Sequence, residues 1–391
     1  MKKLVLIFFF IFFINLFPQL AQSKTQTAIL IQGFNNIELN GYGSSSLFNK
    51  PQNIISLNPS AVCNYEKMSL GISYQAESNI KEAYIAGIGY SRITGSTPES
   101  FGITYQYENF RIGIGFGQTY NGNLEFGPIA ITTPEQPDGI GETFVPVFKT
   151  TIYSYGVTLG YTLNEFIRAN DKFSVGIRLN RNVLHEYEQI NTTSLDEKIY
   201  CTNFAAGINY YTSMGSNREL GIGLSYESAM EFSKYVTFNN SSDGLVTPQG
   251  TYKIDMAPTI ITGKVPAKLK IDFDLTAVEK LRILLNISTA FWNNVSDTYK
   301  NQLDFGGSAV YSPAEFIDLS AGIFTITRKY SSGDMQKYFG TDAVLNATYL
   351  TAGIVLKYSG ISLDLALADS NSLSDAWRKQ TIFKAGLGYE L

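Results

Sequence analysis

In the stretch Phe110-Arg111-Ile112-Gly113-Ile114-Gly115-Phe116-Gly117 every second residue is large and apolar, and each residue between is Gly or Arg. A β-strand sends successive side chains to opposite faces, so this pattern predicts a strand with one face of Phe and Ile and another of Arg and Gly. The same period of two recurs down the chain. Fifteen candidate segments show it, at 68–74, 84–90, 101–107, 110–116, 153–161, 173–179, 204–210, 220–226, 269–275, 283–287, 303–305, 317–323, 350–358, 361–367 and 383–391. Dyad alternation with turn residues between segments predicts a membrane-spanning antiparallel β-barrel, an all-β fold.

Connections divide into two classes. Asn164 to Asp171 and Ser359-Gly360 are short, whereas 119–150, 183–199, 231–266 and 329–346 are long and polar. Single-chain bacterial barrels have an even strand number, with turns on the periplasmic side and long loops outside. Each of the four long stretches follows an even-numbered segment. With both termini periplasmic they should follow odd ones, so one of the four segments before residue 118 is not a full barrel strand. Fourteen strands are expected, with sixteen as the alternative. A soluble barrel of about eight strands fills its interior with side chains; this chain has nearly twice that number. Its Gly, Ser and charged face is therefore expected to line a lumen, which places Arg111, Arg178, Lys268, Lys270, Asp272, Asp274, Arg282, Asp304, Asp318 and Lys384 inside, with signs that can neutralise one another.

The N-terminus breaks the pattern. Lys2 and Lys3 precede the largely apolar stretch 4–17, and Ala21 and Ser23 offer small residues for cleavage. This predicts a secretory signal over residues 1–23, too short for a membrane helix. Residues 24–64 are rich in Gly, Ser, Asn and Pro and alternate poorly, which predicts an irregular segment with short turns. Its apolar residues Leu47, Phe48, Ile54, Ile55 and Val62 call for packing inside something. The barrel itself would occupy 65–391.

Composition and charge narrow the function. Loss of residues 1–23 removes Lys2 and Lys3 and no acid, taking the formal net charge from −4 to −6, so no nucleic-acid footprint is present. His185 stands alone, with no Ser two residues away, so acyl-transfer chemistry of the Ser–His kind has little support and the chain reads as no enzyme. One His and two distant Cys give no metal-ligand spacing, and no cofactor is implied. Cys63 and Cys201 could be joined in an oxidising compartment.

Several motifs carry a family resemblance. Asn58-Pro59-Ser60-Ala61, in the irregular segment, resembles the Asn-Pro-Ala hatch motif of FadL-like outer-membrane transporters. Gly221-Ile222-Gly223-Leu224-Ser225-Tyr226-Glu227-Ser228, Val265-Pro266-Ala267-Lys268-Leu269, and Trp292-Asn293-Asn294 followed by Phe305-Gly306-Gly307 look like later stretches of that family. The resemblance implies a fourteen-stranded barrel with residues 24–64 folded into the lumen as a hatch. It further implies passive transport of long-chain fatty acids or hydrocarbons across the cell outer membrane, with exit sideways through a gap at a kinked strand. Phe34, Leu47, Phe48, Asn58, Pro59 and Ser60 are the hatch residues expected near the ligand. The partners implied are a hydrophobic small molecule and membrane lipid, and a monomer is favoured. Part of the pattern is shared with barrels that shuttle secreted proteins, which leaves a non-transporting barrel as the alternative.

Overall fold

The computed structural model describes residues 50–391 apart from 66, 82, 86–88, 92–94, 126–128, 131–142, 145–146, 191–192, 216–217, 240–244, 248–249, 253–257, 296–298, 331–343, 371 and 373–378. The proposed signal and most of the hatch segment, including Phe34, Leu47 and Phe48, lie outside the described residues.

Fourteen antiparallel strands close into one barrel. They are β1 Met68–Lys81, β2 Gly95–Tyr107, β3 Phe110–Glu125, β4 Val147–Asn164, β5 Lys172–Ile190, β6 Thr193–Ser213 and β7 Glu219–Glu227. The second half comprises β8 Lys268–Val278, β9 Leu281–Ala290, β10 Gln302–Ala314, β11 Ile317–Tyr330, β12 Val344–Tyr358, β13 Ile361–Asp369 and β14 Lys379–Glu390. The ring closes where β1 pairs β14, from Ser69 opposite Glu390 to Lys81 opposite Lys379. Closure removes the open edge that no lipid-embedded sheet can carry.

The supernumerary segment is 84–90. Two short pieces, Ala83–Ile85 and Gly89–Ser91, pair with each other through Tyr84 and Tyr90, so the chain doubles back there instead of crossing the wall. Fourteen full strands remain, as parity requires.

One long connection expected from the sequence is not a loop. Residues 183–199 continue β5 and β6, of 19 and 21 residues, as a paired hairpin. About 9–11 residues suffice to cross a bilayer, so both strands project beyond it. There the outward face meets water, and the apolar-out alternation of the lower wall is lost. Leu184, Leu195 and Ile199 are buried inward while His185, Asp196 and Lys198 face out. Strand residues with polar groups on both faces, such as Glu186 inward and His185 outward, read in sequence as a polar loop.

Lower in the barrel the alternation is as predicted. Phe110, Ile112 and Ile114 of β3 are exposed on the outer surface, where lipid would sit, as are Leu179, Leu285 and Leu319 on other strands. Arg111, Arg178, Asp272, Asp274, Asp318 and Lys384 are buried on the inner face. The inner charges neutralise one another between neighbours: Arg282 pairs Asp274, and Lys357 Nζ lies 2.7 Å from Asp318 Oδ2. Asp364 instead meets Lys50 of the hatch segment at 3.2 Å.

The glycines of the inner face are where the plug sits. A Cβ on Gly102 would stand 1.8 Å from the carbonyl oxygen of Pro51, and one on Gly176 would stand 2.3 Å from the carbonyl carbon of Pro59. Backbone lies against backbone at both places, and only Gly allows that approach. On β3, Gly113 and Gly115 face Ile54, whereas Gly117 leaves ordinary van der Waals space, 3.5 Å, to Ile55. Gly102→Val is therefore expected to unseat the plug at a cost of about 1–3 kcal/mol, while Gly117→Ala is neutral. Limited proteolysis of the N-terminal segment in the folded barrel checks this, and equal protection of both variants would contradict the packing described.

Candidate functional site

The described part of the plug, residues 50–65, is built from two short 3₁₀ turns, Pro51–Asn53 and Pro59–Asn64. The second has a local cause. Pro59 presets φ at the first turn position, and Asn58 caps it, its Oδ1 accepting from Ser60 N at 3.0 Å and Ser60 Oγ at 2.7 Å. Ser60 thus adds a second donor to the capping oxygen, so its departure from the usual Ala is accommodated. Asn58 Nδ2 donates to the carbonyls of Ile208 and Leu224, at 3.2 and 3.4 Å, which ties the turn to the wall between β6 and β7. Gly207 leaves the room for that amide.

An irregular segment carries carbonyls that no ladder satisfies, and the wall supplies their donors. Arg178, 2% exposed, donates Nη1 to Ile54 O at 2.9 Å and to Leu57 O at 2.8 Å. Arg111 donates Nε to Tyr65 O at 2.9 Å. Gln52 Nε2 donates to Asp364 Oδ2, Lys384 Nζ to Asn53 Oδ1, and Asn64 Nδ2 to the Tyr211 hydroxyl. The apolar side of the plug gathers Ile54, Ile55, Val62 and Tyr65 into one buried cluster.

A second apolar layer closes the barrel toward the long loops. Met230 and Phe232, from the hairpin Met230–Val236 with Thr259–Val265, pack on Tyr120, Ile152, Leu184 and Ile199 of β3 to β6. This hairpin occupies much of the stretch 231–266, which reads in sequence only as a long polar connection. Between plug and upper layer lies a cavity of about 190 Å³. Its floor is Ile55, Leu57 and Pro59; its walls include Tyr120, Tyr226, Met230, Trp292 and Phe324, with Arg178, Lys268, Lys270, Glu227 and Asp304 as polar members. Trp292 is buried and held by its indole N–H, which donates to Gln302 Oε1 at 3.0 Å.

Of the expected hatch residues, Pro59 borders the cavity, whereas Asn58 and Ser60 lie buried against the wall and Phe34, Leu47 and Phe48 fall outside the described residues. Arg178 was anticipated as a lumenal charge, not as the clamp on the plug. Trp292 and Gln302 were not singled out as a pair, because nothing short of the fold brings residues ten apart across a turn into one wall. Cys63 and Cys201 are both free; Cys63 sits beside Gly160 and Cys201 in the upper apolar layer. His185 Nε2 lies 2.6 Å from Asp196 Oδ1 on the outer face of β5 and β6, away from the cavity. Among the described residues no cluster of His, Cys, Asp or Glu could hold a metal ion.

The Pseudomonas putida toluene transporter TodX superposes with TM-score 0.61 at 12% identity, over 95% of this chain and 99% of that one. The Ralstonia pickettii toluene transporter TbuX gives 0.59 at 11%, over 88% and 94%. A Pseudomonas aeruginosa FadL homologue gives 0.55 at 13%, over 94% and 98%. The chain has a FadL-like fold. No family model matches the sequence, and no curated protein does. Two of these structures are described as toluene transporters, and a further one of the same fold is a monoaromatic hydrocarbon channel; at this level of identity the likeness is one of fold.

The clamp can be tested apart from the barrel. Arg178→Met removes two charge-assisted hydrogen bonds, worth about 1.5–3 kcal/mol each, yet leaves the strand ladder intact. The plug should become protease-accessible while the barrel keeps its heat-dependent gel mobility; a plug as protected as in the parent would show that Arg178 is not what holds it.

Proposed function

We propose that this protein carries hydrophobic small molecules passively across an outer membrane, with hydrocarbons or long-chain fatty acids as the substrate class. The signal peptide would be residues 1–23 and the hatch residues 24–64. The observation that carries the reading is a cavity lying between an apolar plug and an apolar upper layer in a FadL-like barrel. The neighbours named for toluene and monoaromatic hydrocarbons lend it support.

Energetics favour such a route over a wet pore. Burial stabilises an alkyl chain by about 0.8 kcal/mol per CH₂, so a dry site followed by sideways exit avoids returning it to water. A cavity of about 190 Å³ is comparable with the roughly 150 Å³ apolar cavity known to take benzene. It suits one aromatic ring, or part of an acyl chain whose remainder lies elsewhere along the path. The exit implied by the family fits β3. Its pairing with β2 ends at Gly117 opposite Ser100, and its register with β4 shifts between Gln118 and Tyr120. Thr119 and Tyr120 at that kink line the cavity. Phe34, Leu47 and Phe48, with Asn58, Pro59 and Ser60, would lie along the path at the hatch.

Native mass spectrometry of the barrel in mild detergent, supplied with toluene or a fatty acid, tests the proposal. The parent should retain the hydrophobe, and Ile55→Asp on the cavity floor and Phe48→Asp in the hatch should each lose it. An empty barrel that instead carries a partner protein would move the reading to a secretion shuttle.

A further inference from the structure

The wall carries a second interruption, seven strands around the ring from the kink in β3. Pairing of β10 with β11 runs from Ala314 opposite Ile317 up to Phe305 opposite Thr325 and stops. It resumes beyond β10, where the short strand Tyr299–Lys300 pairs Tyr330 and Lys329. Four residues on one side, 301–304, therefore face three on the other, 326–328, with no ladder between them. Both edges keep their other neighbour. Gln302 and Leu303 pair with β9, and residues 326–328 pair with β12.

Above the last paired residues, the described hydrogen bonds include one side-chain bridge across the seam and others that run sideways and inward. Thr325 Oγ1 takes the Phe305 N–H at 3.4 Å and donates to Phe305 O at 3.5 Å, so a side chain stands in for the last rung. Gln302 is held from the lumen by Trp292, and its amide donates to Asp304. Above Phe305 the strand ladder of β10 continues with β9, and Gln302 is held from the lumen. The cavity reaches this place. It is lined both by the inward residues Gln302, Asp304 and Phe324 and by Phe305 and Thr325, which alternate to the membrane face; Phe305 is half exposed there. Unpaired backbone at membrane depth is tolerated only where it is covered by protein or lines a cavity, and interruptions of this kind recur at barrel rims beside functional sites.

We propose that the cavity opens through the wall between β10 and β11 into the membrane leaflet on the long-loop side, a lateral window opposite the β3 kink. Its use as a port for a hydrophobic ligand rests on the transport reading above; its existence does not. Thr119 and Tyr120 of β3 and Phe305 and Thr325 of β10 and β11 all line the one cavity, so it reaches both interruptions.

Trp292 gives a direct readout, since the chain has only 2 Trp. In a Trp377→Phe background, Trp292 fluorescence is measured in vesicles of phosphatidylcholine with brominated acyl chains and in unbrominated vesicles. Deleting Asn301 brings residues 299–300 into the register of Phe305 with Thr325, so the ladder can close. Thr325→Val removes the bridging hydroxyl. Quenching by the brominated tails is expected in the parent, lost in the deletion and increased in Thr325→Val. Equal quenching in all three folded proteins would overturn the window. Toluene release from the same vesicles separates the two readings. A parent that releases none while the quenching pattern holds would defeat transport and keep the window; release unchanged by the deletion, with quenching lost, would defeat the window's use as a port.

Discussion

The close approach of the plug backbone to the barrel wall is the constraint on which the rest of this structure depends. A ring of fourteen strands is too wide for its own side chains to fill. The plug must supply the missing matter, and it can do so only where the wall has none to offer. Glycine is ordinarily unfavourable inside a strand. Here Gly102, Gly176 and Gly207 offset that penalty by admitting the carbonyls of Pro51 and Pro59 and the amide of Asn58. Strands at the plug side of the barrel are accordingly Gly on one face and Phe, Ile or Val on the other.

Bringing irregular backbone against a wall creates a second demand, because its carbonyls have no ladder partners. Arg178 and Arg111 meet this demand from β5 and β3, and Asp364, Lys384 and Tyr211 answer the plug's polar side chains. The charged residues of the lumen are then not a diffuse polar lining. On the plug side they are anchors, and on the far side they pair between adjacent strands, as Asp274 with Arg282 and Asp318 with Lys357. The cavity occupies the space that both arrangements leave, between the plug and the inward-folded Met230 and Phe232.

The strand ladder shifts register at several places, as between Ser73 and Tyr74 on β1, and at two places pairing with one neighbour stops. Both interruptions, above Gly117 on β3 and above Phe305 on β10, border the same cavity. Amide groups left without partners against hydrocarbon are costly, and a cavity on the inner side gives them another environment. The cavity and the gaps are therefore one feature of the fold.

Much of this was legible in the chain because strand alternation is local. Phe110 to Gly117 predicted an outward apolar face and an inward Gly face, parity of the long connections removed one segment before residue 118, and the Asn and Pro around residue 58 marked irregular chain with short turns. The inward placement of Arg178 and Asp274 followed from the same period of two. What the chain could not show was long-range. Residues 183–199 read as a loop because above the membrane water, not lipid, bounds the outer face, and polar residues such as Glu186 and Thr193 share the inner face with Leu184 and Ile199. Arg178 became a clamp only when residues more than a hundred positions earlier came to rest beneath it. The wall at Trp292, Gln302, Phe305 and Thr325 depends on register between β10 and β11, and register is a property of two strands that neither one encodes alone. Alternation sets which face a residue takes; only the closed barrel decides what stands opposite it.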